Sequence, residues 1–180
     1  MKKLSVFALL VLFVALSINA QEFNYIGTKK CGMCHKSEKQ GEQLPIWEKS
    51  QHAQAYKTLQ TPEADKIAKE KGFETKAVET PECLTCHVAG SGLAAARFEK
   101  GFKIEDGVQC ESCHGPGSEY KSMKTMKDVD AAVKAGLVVY KDDAAIEAQC
   151  KTCHNENSPT YKEFKFAEMY DKIKHNIPTK

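Results

Sequence analysis

Eight cysteines constrain this chain more than any other feature, because all of them fall into four copies of one pattern: Cys31, Cys34 and His35; Cys83, Cys86 and His87; Cys110, Cys113 and His114; Cys150, Cys153 and His154. Each copy is Cys-x-x-Cys-His, and no cysteine is left over. Two thiols one short helical turn apart can each add to one vinyl group of the same porphyrin. The adjoining histidine then presents its imidazole to the iron as the proximal ligand. The pattern predicts four covalently attached haem c groups, with the eight cysteines as attachment points and His35, His87, His114 and His154 as iron ligands. That uses four of the six histidines.

Other uses of the cysteines explain less. A disulfide-stapled exported scaffold gives no reason for a histidine after every second cysteine. Zinc would pair Cys-x-x-Cys units into four-coordinate sites, and the fixed histidine is again unexplained. Thioredoxin-like exchange would need one such motif on a sheet-rich fold rather than four.

The N-terminus points to export. Lys2 and Lys3 precede an uncharged apolar run from Leu4 to Leu16, which ends in Ser17, Ile18, Asn19 and Ala20. This is the order of a secretory signal, with cleavage expected after Ala20. Ile18, third before the cut, is not the ideal small residue. The run is short of the about 20 apolar residues a spanning helix needs, and no comparable stretch follows. An uncleaved N-terminal anchor is the alternative, and it would be the one route to a membrane. The residue directly after Ala20 is Gln21, so no cysteine stands at the cut to carry a lipid. The expected organisation is a signal peptide over residues 1–20 and a single tetrahaem cytochrome c domain over 21–180, soluble in the periplasm after cleavage.

Residues 1–20 take away two of the 26 basic side chains and none of the 24 acidic ones, which leaves the rest neutral. A neutral chain is no nucleic-acid binder, and Lys29, Lys30, Lys121, Lys124 and Lys127 read as a solvated face. Haem propionates would make the holoprotein acidic. Apolar runs long enough to build a large core are missing, so the haems are expected to fill the interior.

The predicted fold is mainly α with extensive coil and little or no sheet, the haems forming the core. A helix is expected over Ile46 to Leu59, carrying His52, from Trp47, Ala55, Tyr56 and Leu59 at helical spacing. Thr61, Pro62 and Glu63 read as N-cap, first-turn proline and first-turn acid of a polar helix that Gly72 stops. Gly90, Ser91 and Gly92 mark a loop, and Gly115, Pro116 and Gly117 end the third motif. Asp128 to Ala135 and Asp142 to Cys150 read as short acid-led helices. A last helix is expected from about Phe164 into Lys174, with Phe166, Met169, Tyr170 and Ile173 on one stripe.

The motifs are the one internal repeat, at uneven separations of 52, 27 and 40 residues. With so few residues per haem, every porphyrin must touch another, which is the physical basis of an electron conduit.

The residues around the motifs resemble the cytochrome c-554 family, tetrahaem cytochromes best known from ammonia-oxidising bacteria. The resemblance runs through Gly27, Lys29, Lys30 and Lys36 around the first motif; Trp47, Ser50, His52, Ala53 and Ala55; and Val88, Gly90 and Gly92. It continues through Gly107, Val108, Cys110, Glu111, Ser112, Cys113, His114, Gly115, Pro116 and Gly117, and ends at Phe164, Lys165, Phe166, Glu168, Met169 and His175. The chain is shorter than the family, mainly between the third motif and the final helix. The resemblance implies that His52 is the distal ligand of the third haem and His175 that of the fourth, and that the second haem is five-coordinate. The histidines themselves read otherwise as a satisfied surface or core group at 52 and a solvent-facing group at 175. The family also completes its first haem with a histidine about ten residues past the third proximal one. Here that stretch reads Tyr120, Lys121, Ser122, Met123, Lys124. A thioether from Met123, or alternatively Met126, would take the place, unless both methionines are ordinary packing.

Two functions follow as expectations. One is an electron carrier relaying electrons between redox protein partners, an exported oxidoreductase as donor and another cytochrome as acceptor; in the family the donor is hydroxylamine oxidoreductase. The other is a small haem enzyme binding or reducing NO, nitrite or hydroxylamine at a five-coordinate haem, which would need acid, base and anion-binding groups at the open position. Multihaem nitrite reductases carry lysine in place of the proximal histidine of their active haem, whereas all four motifs here keep histidine, so the carrier is the preferred reading and no catalytic residue is assigned. Polymerisation into a haem wire is a third idea.

Overall fold

A computed structural model describes residues 23–177, so the predicted signal segment, residues 1–20, lies outside the described residues. The described chain is a series of short helices joined by coil. It begins with α1 (Thr28–Gly32), α2 (Gln43–Lys49) and α3 (Ala55–Leu59), and continues with α4 (Pro62–Glu70) and α5 (Pro81–His87). After a long irregular stretch come α6 (Cys110–His114), α7 (Met123–Met126), α8 (Val129–Lys134), α9 (Asp143–Cys150) and α10 (Phe166–Tyr170). Among the described residues no strand forms; an isolated bridge joins Tyr25 to Phe98.

Local chemistry explains several boundaries. The Thr61 hydroxyl accepts the Ala64 amide at 3.2 Å and Pro62 opens α4, as the sequence predicts. Asp128 and Asp142 cap α8 and α9 in the same way, accepting Ala131 N–H at 3.0 Å and Ala145 N–H at 2.8 Å. Two helices are shorter than their apolar patterns. The stretch expected as one helix over 46–59 breaks at Ser50, which is extended at φ −82°, ψ 162°, and resumes as a 3-10 turn over His52–Gln54 before α3. There the Ser50 hydroxyl donates to Trp47 O at 2.7 Å while the Trp47 indole donates to Val108 O at 2.8 Å. A tertiary bond thus overrides the helical period. Helix α10 ends at Tyr170, so His175 lies beyond it.

The protein core is small. The buried apolar residues are Ile26, Leu59, Val88, Tyr120 and five alanines. One cluster, Leu59, Ala68 and Ala77, is lined by Phe73, Val78, Cys83 and Leu84. Much of what is buried is polar. The Glu111 carboxylate accepts the amides of Ile26 (2.9 Å), Gly27 (2.8 Å) and Gly117 (2.7 Å). Gln109 accepts the Thr28 amide at 3.0 Å and donates to Lys103 O at 2.8 Å. These bonds lash the N-terminal segment and α1 to α6.

Candidate haem-binding site

All four Cys-x-x-Cys-His segments form a helical turn. Cys83, Cys86 and His87 lie in α5, and Cys110, Cys113 and His114 make up most of α6. The first and fourth motifs begin in α1 and α9 and finish in the turn beyond. There the i−4 bonding continues, His35 N–H to Cys31 O at 3.0 Å and His154 N–H to Cys150 O at 3.0 Å. No disulfide joins any of the eight cysteines. Among the described residues no group of three or more His, Cys, Asp or Glu side chains is arranged to hold a bare metal ion.

Burial pushes the Cys113 and Cys86 thiols up to about 11, so both stay protonated and unreactive toward disulfides at neutral pH. Burial also holds His35, His52, His114 and His154 below the usual histidine range, which keeps them as the neutral imidazoles iron needs.

The outer nitrogens of two proximal histidines have partners. His87 Nδ1 lies 2.7 Å from Ala55 O, and His114 Nδ1 lies 3.3 Å from Val138 O. With Nδ1–H donating to these carbonyls, Nε2 is the free donor for iron. Phe164 stacks on His154 at 4.9 Å and fixes that ring from the side. The end of α6 is closed by side chains: Gln149 donates to Ser112 O (3.1 Å), Tyr140 to Cys113 O (2.5 Å) and Tyr120 to Gly115 O (2.6 Å). These satisfy carbonyls that a helix terminus leaves open.

The remaining histidines face proximal ones. The His52 ring centre is 6.1 Å from that of His154, and the His175 ring centre is 5.8 Å from that of His114. Metal-to-imidazole bonds of about 2 Å on both sides of one iron place the ring centres roughly 6 Å apart, so both pairs fit axial ligands. The resemblance implies the other pairing, but here the His52 ring lies near His154 of the fourth motif and the His175 ring near His114 of the third. The cause is tertiary. Val108 N–H donates to His52 O at 3.1 Å, and Gly107 packs against that same carbonyl, so His52 is fixed on the segment that enters α6 while its ring reaches the turn beyond α9. His175 is held by the seating of the C-terminal segment against the turn before α2.

Met123 stands at the start of α7 and is 68% exposed. The side chains that act on the His35 ring are those of Gln43 and His175. Sequence reasoning missed Gln43, whose contacts join positions 133 residues apart and leave no local signal. It equally missed Ala55 and Val138, which act through backbone carbonyls that any residue would supply.

The thiols also show which motifs are neighbours. Cys31 lies close enough to Cys110 for each to shift the other's titration, as does Cys86 to Cys153, and Cys113 lies close to Cys150 and Cys153. The motifs therefore adjoin in the order first, third, fourth, second.

Helical turns that each offer two thiols and an imidazole, two of them faced by a second imidazole, define a c-type cytochrome scaffold. The family model described as cytochrome c554 and c-prime matches residues 30–115. The chain is 33% identical over 158 residues to cytochrome c-554 of Nitrosomonas europaea, an overlap of 78% of this chain. It spans 62% of the length of that relative. The chain belongs to the cytochrome c-554 family, whose cofactor is c-type haem iron. No solved structure matches it.

Proposed function

We propose that this chain is a periplasmic electron carrier that holds four c-type haems and passes electrons between an exported oxidoreductase and another cytochrome. The observation that carries the reading is the pair of facing imidazoles, His52 with His154 and His175 with His114, on a scaffold of four attachment motifs. When bound, haem supplies a one-electron ferric and ferrous couple. The chain's own residues do the rest. The cysteines fix each porphyrin, Ala55 O and Val138 O orient proximal rings, and His52 and His175 close a sixth position against small molecules. The adjacency of Cys31 with Cys110, Cys113 with Cys150 and Cys86 with Cys153 supports a path from the first haem through the third and fourth to the second. Export rests on the Lys2 to Ala20 segment. Among the described residues no helix is long and apolar enough to cross a membrane.

The test is a mass measurement and a coulometric titration on protein matured in a bacterial periplasm. The expected mass is the chain from Gln21 plus four haems, and the expected uptake is four electrons per chain. Fewer haems, or disulfides in their place, would remove the tetrahaem reading. Turnover of nitrite, NO or hydroxylamine at rates faster than electron exchange with a partner cytochrome would replace the carrier with the enzyme.

A further inference from the structure

The turn that delivers α2 is built in an unusual way. Gly41 is left-handed at φ 95°, and Glu42 follows at φ 54°, the one non-glycine residue with positive φ among the described residues. A left-handed L-residue costs on the order of 1 kcal/mol, so something must hold this turn. What it achieves is position: the chain reverses and Leu44 N–H donates to His35 O at 2.8 Å. Leu44 also packs on Gly32 of α1, where any added Cβ would meet its Cδ2 at 2.5 Å. The residue between, Gln43, is thereby set beside the His35 imidazole.

The two ends of the Gln43 amide have different fates. Nε2 donates to Asn176 O at 2.9 Å. Oε1 is buried without a well-formed hydrogen bond, a state that costs about 1–3 kcal/mol if left so. The Gln43 side chain lies beside the His35 ring, close enough to act on its charge. With His35 Nε2 committed to iron, Nδ1–H is the donor that Oε1 lacks. The Asn176 carbonyl that takes Nε2–H also lies 3.5 Å from His175 Nδ1, and the His175 ring faces His114. For His87 and His114 the acceptor is a backbone carbonyl with no such second attachment.

We propose that Gln43 is a positioning residue that joins two haem centres, its Oε1 accepting from the proximal His35 of the first and its Nε2 seating the segment that places His175 on the third. This rests on the reading of His35 and His175 as iron ligands. The carbonyl oxygen strengthens His35 as a donor and lowers the potential of the first haem. The amide nitrogen keeps the sixth position of the third haem filled.

Two variants of the holoprotein separate the two ends. Gln43→Leu removes both bonds, so the first haem should rise in potential while the third gains a high-spin fraction. Gln43→Glu keeps and strengthens the acceptor but has no donor for Asn176 O, so the first haem should fall below wild type while the third again turns partly high-spin. Redox titrations followed by electron paramagnetic resonance read both effects, and the mass of each variant confirms that its haems are attached. Opposite shifts of the first haem, with the same spin change at the third, support the proposal. Shifts of one sign in both variants, or none, would overturn it and leave Gln43 as packing. A wild-type chain without haem on Cys31 and Cys34 would instead sink the reading of the site, and this proposal with it.

Discussion

The imidazoles of His52 and His154 face each other at 6.1 Å although 102 positions separate them, and Phe164 stacks on the far residue of the pair. His52→Ala should therefore turn the haem of Cys150 and Cys153 from low to high spin and raise its potential, since a strong donor to ferric iron is gone. The third haem should keep its spectrum. Paramagnetic resonance of the oxidised variant distinguishes them, and a change at the third haem instead would restore the pairing that the family resemblance implies.

His175→Ala is the companion case. The ring lies 5.8 Å from His114, so the loss should appear at the haem of Cys110 and Cys113. Added imidazole should return that haem to low spin by occupying the vacated position. No recovery, with an unaltered third haem, would place His175 in solvent.

Met123 is exposed at the head of a one-turn helix. Met123→Leu is expected to leave every potential and spin state in place, and the oxidised wild type to lack the weak near-infrared band of methionine ligation. A band that disappears in the variant would make Met123 the sixth ligand of the first haem.

Glu111 receives three backbone amides in a buried site. Glutamine offers one acceptor oxygen and turns an NH₂ toward the other donors, so Glu111→Gln should cost about 3 kcal/mol of stability. Denaturant titration of the holoprotein measures it. A loss under about 0.5 kcal/mol, the range of ordinary surface substitutions, would show that the amides find other partners.

Gly107 has φ 67°, and a Cβ there would come within 2.8 Å of His52 O. Gly107→Ala should thus both strain the backbone and push His52 off its iron, giving a partial high-spin signal at the fourth haem. His52→Ala would share that signal without the stability loss from backbone strain.

Much of this was legible in the sequence because it is local. The Thr61, Asp128 and Asp142 caps, the Gly115 stop and the four helical turns each depend on a few neighbouring residues, and all appear in the structure. The rest depends on partners far along the chain. Trp47 and Ser50 fit a continuous helix until the indole finds Val108, 61 residues away. The placing of His52 beside His154 goes with a backbone bond to Val108 that no periodicity encodes. Gln43 looks like an ordinary first-turn residue ahead of Pro45 until Asn176 arrives.

The clamp at Glu111 has a consequence for how such a chain comes into being. The amides of Ile26 and Gly27 wait for a carboxylate 85 and 84 positions later. Synthesis runs from the N-terminus, so Cys31 and Cys34 exist for most of that time beside a partner that has not yet been made. A porphyrin joined to them before Glu111 is made would meet an open thread rather than a finished pocket. For the same reason the molecule cannot be divided into halves of two motifs each: its beginning is completed only by its middle.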